Sequence, residues 1–326
     1  MTQPTVPRPA TVLGSQAPPE PSGRVRGVVP VLEVPFCSDG QVDGKSFSRL
    51  LDHVLSTGVT AVTFPGFASE FHKLSEAERA KLVELLLVRV RGATGVAAVI
   101  SVNSHSTLLS IAQALDALEK GAGVINLLPP YFLAPSREAV LEHLERVLDA
   151  VAPAPVVLQY APGLTGTVLE AGAMAAMARE HPNLTFVKVE TSPPGRMISA
   201  LASQSPALPA LVGYAGMLLP DALRRGAVGV QPGCSFTELY VEIWRRWSNG
   251  DESSAVELHR AALPFICYWM QHPELIVAAE KLISQRRGLI ANAQCREPSW
   301  DLDSYEVAMV GDFLSEFGDI LADRHG

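Results

Sequence analysis

The chain lacks the features that would point to a membrane, a nucleic acid or a metal. No apolar run among its 326 residues approaches the roughly 20 residues that a bilayer-spanning helix needs. Basic residues number 26 against 34 acidic ones, for a net charge of -8, and they form no cluster that would suit a phosphate backbone. There is no His-x-His or His-Glu-x-x-His motif and no group of carboxylates with metal-ligand spacing. We therefore expect no membrane, nucleic-acid or metal function.

Cysteine is also scarce. The four cysteines are scattered and form no Cys-x-x-Cys pair: Cys37, Cys234, Cys267 and Cys295. Because no signal peptide precedes them, we expect reduced thiols and a cytoplasmic location. Cys234 follows a predicted strand end and is interpreted as a small buried filler of the core.

Apolar strands alternate with amphipathic helices over most of the chain. Residues 1–24 are rich in proline, show almost no periodic apolar pattern and are predicted to be a disordered leader. Eight strands are then predicted, at residues 28–34, 61–65, 97–101, 123–128, 156–160, 185–190, 210–214 and 229–231. Between them lie helical patterns at 75–90, 107–120, 137–151, 168–179 and 217–225. This alternation is typical of βαβ units with a parallel sheet.

Eight such strands over about 200 residues favour a closed (β/α)8 TIM barrel, an α/β fold, over residues 25–250. An open dinucleotide-binding sheet is the alternative, but no Gly-x-Gly-x-x-Gly follows the first strand. Further helical patterns at 236–248, 252–270, 273–288 and 302–323 supply one closing barrel helix and a C-terminal helical region over 251–326. That appendage is expected either to cover one face of the barrel or to make subunit contacts.

Lys188 is the most informative residue of the sequence. It lies in the β-branched, apolar run TFVKVE at 185–190, which predicts a buried strand where an unpaired ammonium is costly. Burial disfavours the charged form of an amine and frees it to attack a carbonyl, as in Schiff-base enzymes. A structural ion pair is the alternative interpretation of the same lysine.

Other unusual residues follow the strands whose C-terminal ends would carry a barrel's active site. The turn GFASE at 66–70 follows the second strand, PPYF at 129–132 the fourth, and QYAPGLTG at 159–166 spans the end of the fifth. This ordered set, with Lys188 on the sixth strand, resembles the dihydrodipicolinate synthase and N-acetylneuraminate lyase family of class I aldolases. The resemblance runs from about residue 27 to about 273. It implies that Lys188 forms an imine with pyruvate or another 2-keto acid, and that the amides of Ala68 and Ser69 bind its carboxylate.

Four positions depart from the family's pattern. Phe67 replaces a hydroxyl residue of the turn, and Phe132 replaces a tyrosine that the synthase has after strand four. Gln159 stands where the family has its proton-shuttling tyrosine, and Leu164 where the synthase has an arginine for its amino-acid aldehyde. We therefore expect an apolar pocket suited to an uncharged or aromatic partner, and little activity as a typical dihydrodipicolinate synthase.

A group other than the family tyrosine must then carry protons, since imine chemistry needs an acid and a base. Glu190 is the first candidate, because residues two apart on a strand share a face and its carboxylate would lie beside Lys188. Tyr160 is the second, although alternation turns it away from the pocket unless a bulge returns it. Tyr214 either lines the pocket or packs at the barrel rim. We interpret Tyr131 as a structural aromatic and expect Gly213 and Gln231 to line the site.

The leading hypothesis is a Schiff-base lyase that joins a 2-keto acid to an aldehyde or releases one from the other. A 2-keto acid dehydratase or hydratase-aldolase would use the same imine, and a catalytically impaired barrel serving as a binding or structural subunit is a third alternative. The imine through Lys188 would need no further cofactor. The resemblance also implies a homo-oligomer, a dimer or a tetramer.

Overall fold

The computed structural model describes residues 25–322, in which eight parallel strands form one sheet. The strands are β1 (Gly27–Val28), β2 (Ala61–Phe64), β3 (Ala97–Val102), β4 (Val124–Leu127), β5 (Val156–Tyr160), β6 (Leu184–Val189), β7 (Ala210–Val212) and β8 (Gly229–Val230). Their order is β1-β8-β7-β6-β5-β4-β3-β2. Val31 bridges both Thr63 and Gly233 in parallel pairs, which closes the sheet between β1 and β2. The predicted TIM barrel is confirmed, and the predicted leader at 1–24 lies outside the described residues.

Twelve α-helices accompany the strands in residues 25–322. They are α1 (Gly44–Ser56), α2 (Glu76–Gly92), α3 (Thr107–Glu119), α4 (Arg137–Val151), α5 (Pro162–Thr165), α6 (Ala171–Glu180), α7 (Gly195–Ala202), α8 (Leu219–Arg224), α9 (Thr237–Ser248), α10 (Glu252–Trp269), α11 (Pro273–Arg286) and α12 (Ser304–Leu321). Side-chain caps fix where several of them begin. Ser75 and Glu78 form a capping box at α2, and Asp303 and Glu306 form another at α12. No helix in the described part of the chain is long and apolar enough to cross a membrane.

Two apolar layers follow from strand alternation. Inward-facing residues fill the barrel with a small cluster that includes Val99, Val157, Phe186 and Leu211. Their outward-facing neighbours join the larger cluster between the sheet and the helices. Both faces of the sheet are therefore buried, which explains why its strands are almost wholly apolar.

The C-terminal helices do not stand apart from the barrel. Helix α11 contacts the short 3-10 turn Phe67–Ser69 that follows β2, and so lies across the C-terminal end of the barrel. Helices α10 and α12 both pack against α9. Of the two roles considered for the appendage, the structure therefore shows that of covering one face of the barrel, and the covered face is the one where (β/α)8 active sites lie.

Candidate active site

Lys188 points into the barrel near the C-terminal end of β6. Two residues earlier, Phe186 belongs to the cluster inside the barrel, and the two-residue strand period gives Lys188 the same direction. The side chain is 7% exposed and borders a cavity of about 230 Å³. An amine held there is mostly removed from water yet open to a small molecule.

Glu190 lies one residue beyond β6, and its amide donates to the carbonyl of Tyr160 at 2.8 Å. This extension of the pairing keeps its side chain on the face of Lys188. One carboxylate oxygen is 3.2 Å from Lys188 Nζ, and both side chains are buried. A proton on the amine thus has an acceptor within hydrogen-bonding reach, which an amine needs before it can attack a carbonyl.

A chain of buried amides holds Glu190 in place. Gln159 Nε2 donates to Glu190 Oε2 at 2.7 Å, and Gln159 Oε1 accepts from Asn126 Nδ2 at 2.9 Å. The same amide nitrogen of Asn126 donates to Ser101 Oγ at 3.0 Å. With its oxygen taken up by Asn126, the Gln159 amide presents its N–H to Glu190 and fixes the position of that carboxylate.

The two candidate tyrosines lie on opposite sides of the sheet. Tyr160 is 3% exposed within the outer apolar layer, and its hydroxyl accepts a hydrogen bond from the Leu169 amide at 3.3 Å. Tyr214 lines the cavity, and burial, followed by the charge of Glu190, raises its pKa. The structure therefore brings Tyr214, and not Tyr160, to Lys188.

The turn after β2 supplies part of the cavity wall. Phe67 and Ala68 border the cavity, as expected. Ser69 is fully buried, its amide donates to Gly66 O at 2.9 Å, and its hydroxyl donates to the carbonyl of Leu32. Since both of its donors are used within the fold, Ser69 supports the turn, and Ala68 is the residue of the pair that faces the cavity.

The remaining predicted residues divide in the same way. Leu164 and Gln231 line the cavity, and Gln231 Nε2 donates to the hydroxyl of Thr63. Gly213 does not line it, but a Cβ there would overlap the carboxylate of Glu190, so glycine is what gives that carboxylate its place. Tyr131 and Phe132 lie away from the cavity against His105, and Phe132 is 68% exposed.

Helix α11 adds a wall that the strand pattern did not indicate. Ile276, Val277 and Glu280 reach the cavity from above the barrel. Burial raises the pKa of Glu280 to about 8, with the charge of Glu33 as the next cause, and burial raises the pKa of Glu33 to about 7. Among residues 25–322, the charged or titratable side chains that line the cavity are Lys188, Glu190, Tyr214 and Glu280, without an arginine.

A (β/α)8 barrel with a buried lysine and its carboxylate partner at the mouth of the sixth strand is the arrangement of a class I aldolase-type lyase. The chain belongs to the dihydrodipicolinate synthetase family, whose family model matches residues 24–316. It is accordingly a carbon–carbon or carbon–oxygen lyase.

Individual relatives include sugar-acid enzymes. The L-2-keto-3-deoxyarabonate dehydratase of Azospirillum brasilense is 30% identical over 288 residues, which are 86% of this chain and 90% of the relative. A protein of Escherichia coli named as a probable 2-dehydro-3-deoxy-D-pentonate aldolase is 27% identical over 277 residues, 83% of this chain and 90% of the relative. The crystal structure of dihydrodipicolinate synthase from Rhodopseudomonas palustris superposes with a TM-score of 0.82 at 24% identity, covering 90% of this chain and 97% of that one.

Proposed function

We propose that the enzyme forms an imine between Lys188 and the keto carbon of a 2-keto acid. The observation that carries this proposal is the 3.2 Å pair of buried Lys188 and Glu190 at the edge of a cavity of about 230 Å³. Glu190 takes a proton from the ammonium, the neutral amine attacks C2, and water leaves from the carbinolamine. The amide of Ala68 binds the substrate carboxylate.

The protonated imine then acts as the electron sink for bond breaking at C3 or C4, so this chemistry requires no further cofactor. In the aldolase direction, the bond between C3 and C4 breaks and an aldehyde leaves. In the condensation direction, the enamine adds to that aldehyde. The apolar wall of Phe67, Leu164 and Ile276 favours a partner without a second charge.

Dehydration of a 2-keto-3-deoxy acid is the second candidate. It passes through the same imine but expels the C4 hydroxyl as water. The name of the relative from Azospirillum brasilense favours it, and so does the presence of Glu280 as a second carboxyl group in the cavity wall. Either reaction acts on a small 2-keto acid. That the protein forms a homo-oligomer stays a prediction from the family resemblance. Sedimentation equilibrium would measure the oligomeric state directly.

Reductive trapping tests the imine. Borohydride added with pyruvate should attach one ligand mass to the protein, and peptide mapping should place it on Lys188. Lys188→Ala should give no adduct. Lys120→Ala removes a solvent-exposed lysine that does not line the cavity, and should keep the adduct.

An adduct that persists in Lys188→Ala would contradict the proposed nucleophile. The absence of any adduct with a panel of 2-keto acids would contradict the imine itself and favour the catalytically impaired binding subunit. Condensation of pyruvate with aspartate semialdehyde provides a comparison. It should be weak because, among the described residues, Lys188 is the sole cationic side chain of the cavity wall and is taken up by the imine, which leaves none to balance the second carboxylate.

A further inference from the structure

Two buried carboxyl groups near the cavity have no part in forming the imine. Glu280 lies on α11, is 4% exposed, and lines the same cavity as Lys188. Glu33 lies on the segment between β1 and α1 and is 2% exposed, and neither of its carboxyl oxygens has a hydrogen-bond partner among the described residues. Burial disfavours the charged form of both carboxyl groups, so at least one proton should be retained at the two together.

The order in which the two groups ionise follows from their surroundings. Glu33 has Lys281 and Arg287 near enough to favour its charged form, and once charged it disfavours ionisation of Glu280. The charge of Glu280 would also act on two further groups, the Cys234 thiol and the Tyr240 phenol. Both are fully buried and have raised pKa values themselves, so they remain neutral. Near neutral pH, Glu280 is therefore the more fully protonated of the two carboxyl groups.

The position of the Glu280 carboxyl group is set by a glycine. Gly233 follows β8, and a Cβ built on it would overlap all three atoms of that group. Both Gly233 and Glu280 line the cavity. The carboxyl group thus packs against the backbone of Gly233 in the cavity wall, with donors of Ser235 and Cys234 near it that offset part of the rise in its pKa.

We propose that Glu280 is the acid that protonates a hydroxyl group leaving from C4 of an imine-bound 2-keto-3-deoxy acid, which makes the enzyme a dehydratase of such acids. This inference rests on the proposed imine at Lys188. A neutral carboxyl group suits elimination, since the departing oxygen must gain a proton. Aldol cleavage needs the opposite, a base that removes the proton of the same hydroxyl group.

Elimination from the imine has two steps, loss of the C3 proton and then loss of the C4 oxygen. Glu190, as a carboxylate, removes a proton from C3, and the electrons of that bond form the enamine. The enamine then expels the C4 oxygen, which takes its bonding pair and the proton of Glu280 and departs as water. The remaining imine is conjugated, and its hydrolysis returns Lys188 and an unsaturated 2-keto acid. Glu190 gives its proton to solvent and Glu280 regains one from it.

Glu280→Gln tests this assignment, because the amide keeps the shape of the side chain but cannot supply the proton. With a panel of 2-keto-3-deoxypentonates, formation of the dehydrated acid should fall about 100-fold or more, the usual range for loss of a general acid. Trapping of pyruvate on Lys188 should remain. Glu257→Gln, at an exposed carboxylate of α10 outside the cavity, should leave turnover unchanged.

Two further measurements do not depend on how well Glu280→Gln turns over. Near neutral pH, the infrared absorption of protonated carboxyl groups should be weaker in Glu280→Gln than in the native protein, by the amount that Glu280 contributes. In Glu33→Gln, removal of the neighbouring charge lowers the pKa of Glu280, so the alkaline limb of the rate profile should move to lower pH.

The outcomes separate the two proposals. Full dehydratase activity in Glu280→Gln, or an unchanged absorption of protonated carboxyl groups in that variant, would overturn the role of Glu280 while leaving the imine intact. Aldol cleavage of the pentonates without loss of water would also overturn it. Failure to trap any 2-keto acid on Lys188 would instead reject the imine on which the proposal rests.

Discussion

Proton transfer in this site depends on which face of a strand each residue occupies. Lys188 and Glu190 are two residues apart and share the barrel interior, whereas Tyr160, adjacent to inward-facing Gln159, turns outward. The bulge that would have returned Tyr160 to the pocket is absent at the β5 end, where Gln159 and Tyr160 pair in regular register with β6. Strict alternation thus separates the acidic side chain that can act from the phenol that supports the fold.

Glu190→Gln should slow imine formation and lower turnover about 100-fold, because the amide can still bond Lys188 but cannot accept the proton of its ammonium. Rapid-mix trapping and steady-state assays separate the two steps. Tyr160→Phe is the control, since its hydroxyl only accepts a bond from the Leu169 amide outside the cavity. If Glu190→Gln had unchanged kinetics in both steps, the proton carrier would have to be sought at Tyr214, with Tyr214→Phe as the next variant.

Some of these residues could be anticipated from the sequence and others could not. A lysine in an apolar strand is locally anomalous, and the two-residue period is enough to pair it with Glu190. Asn126 offered a weak signal, because it is an amide inside the buried strand β4. Its bond to Gln159 depends on which strands are neighbours in the sheet, which the local sequence does not show. Glu280 gave no such signal. A helical pattern does not show which of its side chains reaches the barrel, and Glu280 lies more than 90 residues after Lys188 in the sequence.

Helix α11 is joined to the barrel by a buried ion pair. Lys281 is fully buried, its ammonium is bonded to the carboxylate of Glu70 and donates to Gln294 O at 3.0 Å, and it lies 4.2 Å from the ring centroid of Phe36. Glu70 also accepts from Lys73 Nζ at 3.1 Å. Thus the turn that bears Phe67 and Ala68 depends on a helix from the end of the chain.

Lys281→Met should destabilise the protein by about 3–5 kcal/mol, because it leaves the buried Glu70 carboxylate with less compensation. Chemical denaturation measures the change. Lys120→Met is the matched control, since its pair with Asp116 is solvent-exposed and should contribute about 0–1 kcal/mol. Equal effects of the two substitutions would show that the buried pair does not hold α11 in place.

The local sequence pattern predicted the positions of several helices and strands well. The predicted helix at 137–151 has the bounds of α4, and the predicted strand at 156–160 those of β5. The first strand is much shorter than the predicted 28–34, since Pro30 lacks the N–H that a continued ladder needs. The seventh ends at Val212 because Tyr214 adopts a left-handed conformation, with φ of 50°, and that bend is what aims its phenol at the cavity.

For the whole molecule, the two buried carboxyl groups make stability depend on pH. The folded-state pKa values of Glu33 and Glu280 are raised from 4.5 to about 7 and about 8, so the folded protein binds more protons than the unfolded chain between these values. Stability is full below the unfolded pKa and is lost as pH rises through the folded pKa values. The loss should be on the order of a few kcal/mol.

We therefore expect the melting temperature to fall between about pH 5 and pH 9, and to fall much less in the double variant Glu33→Gln, Glu280→Gln. At acid pH the opposite holds for Glu78 and Glu242, whose pKa values are lowered to about 2 by arginine partners. The stability that these ion pairs give the folded protein is lost as pH drops from 4.5. Both pairs keep part of their surface in water, which screens the charges and makes that loss small. A native melting temperature that does not change from pH 5 to pH 9 would contradict the raised pKa values of Glu33 and Glu280.

The pairing of Glu70 with Lys281 joins positions 211 residues apart. During synthesis from the N-terminus, the barrel strands emerge well before α11, yet the substrate turn is secured and the cavity enclosed only when α11 arrives. Contacts of such long sequence separation form late, because loop closure must precede them. The nascent chain should thus carry its reactive lysine on an unfinished barrel, and gain activity only after α11 has left the ribosome.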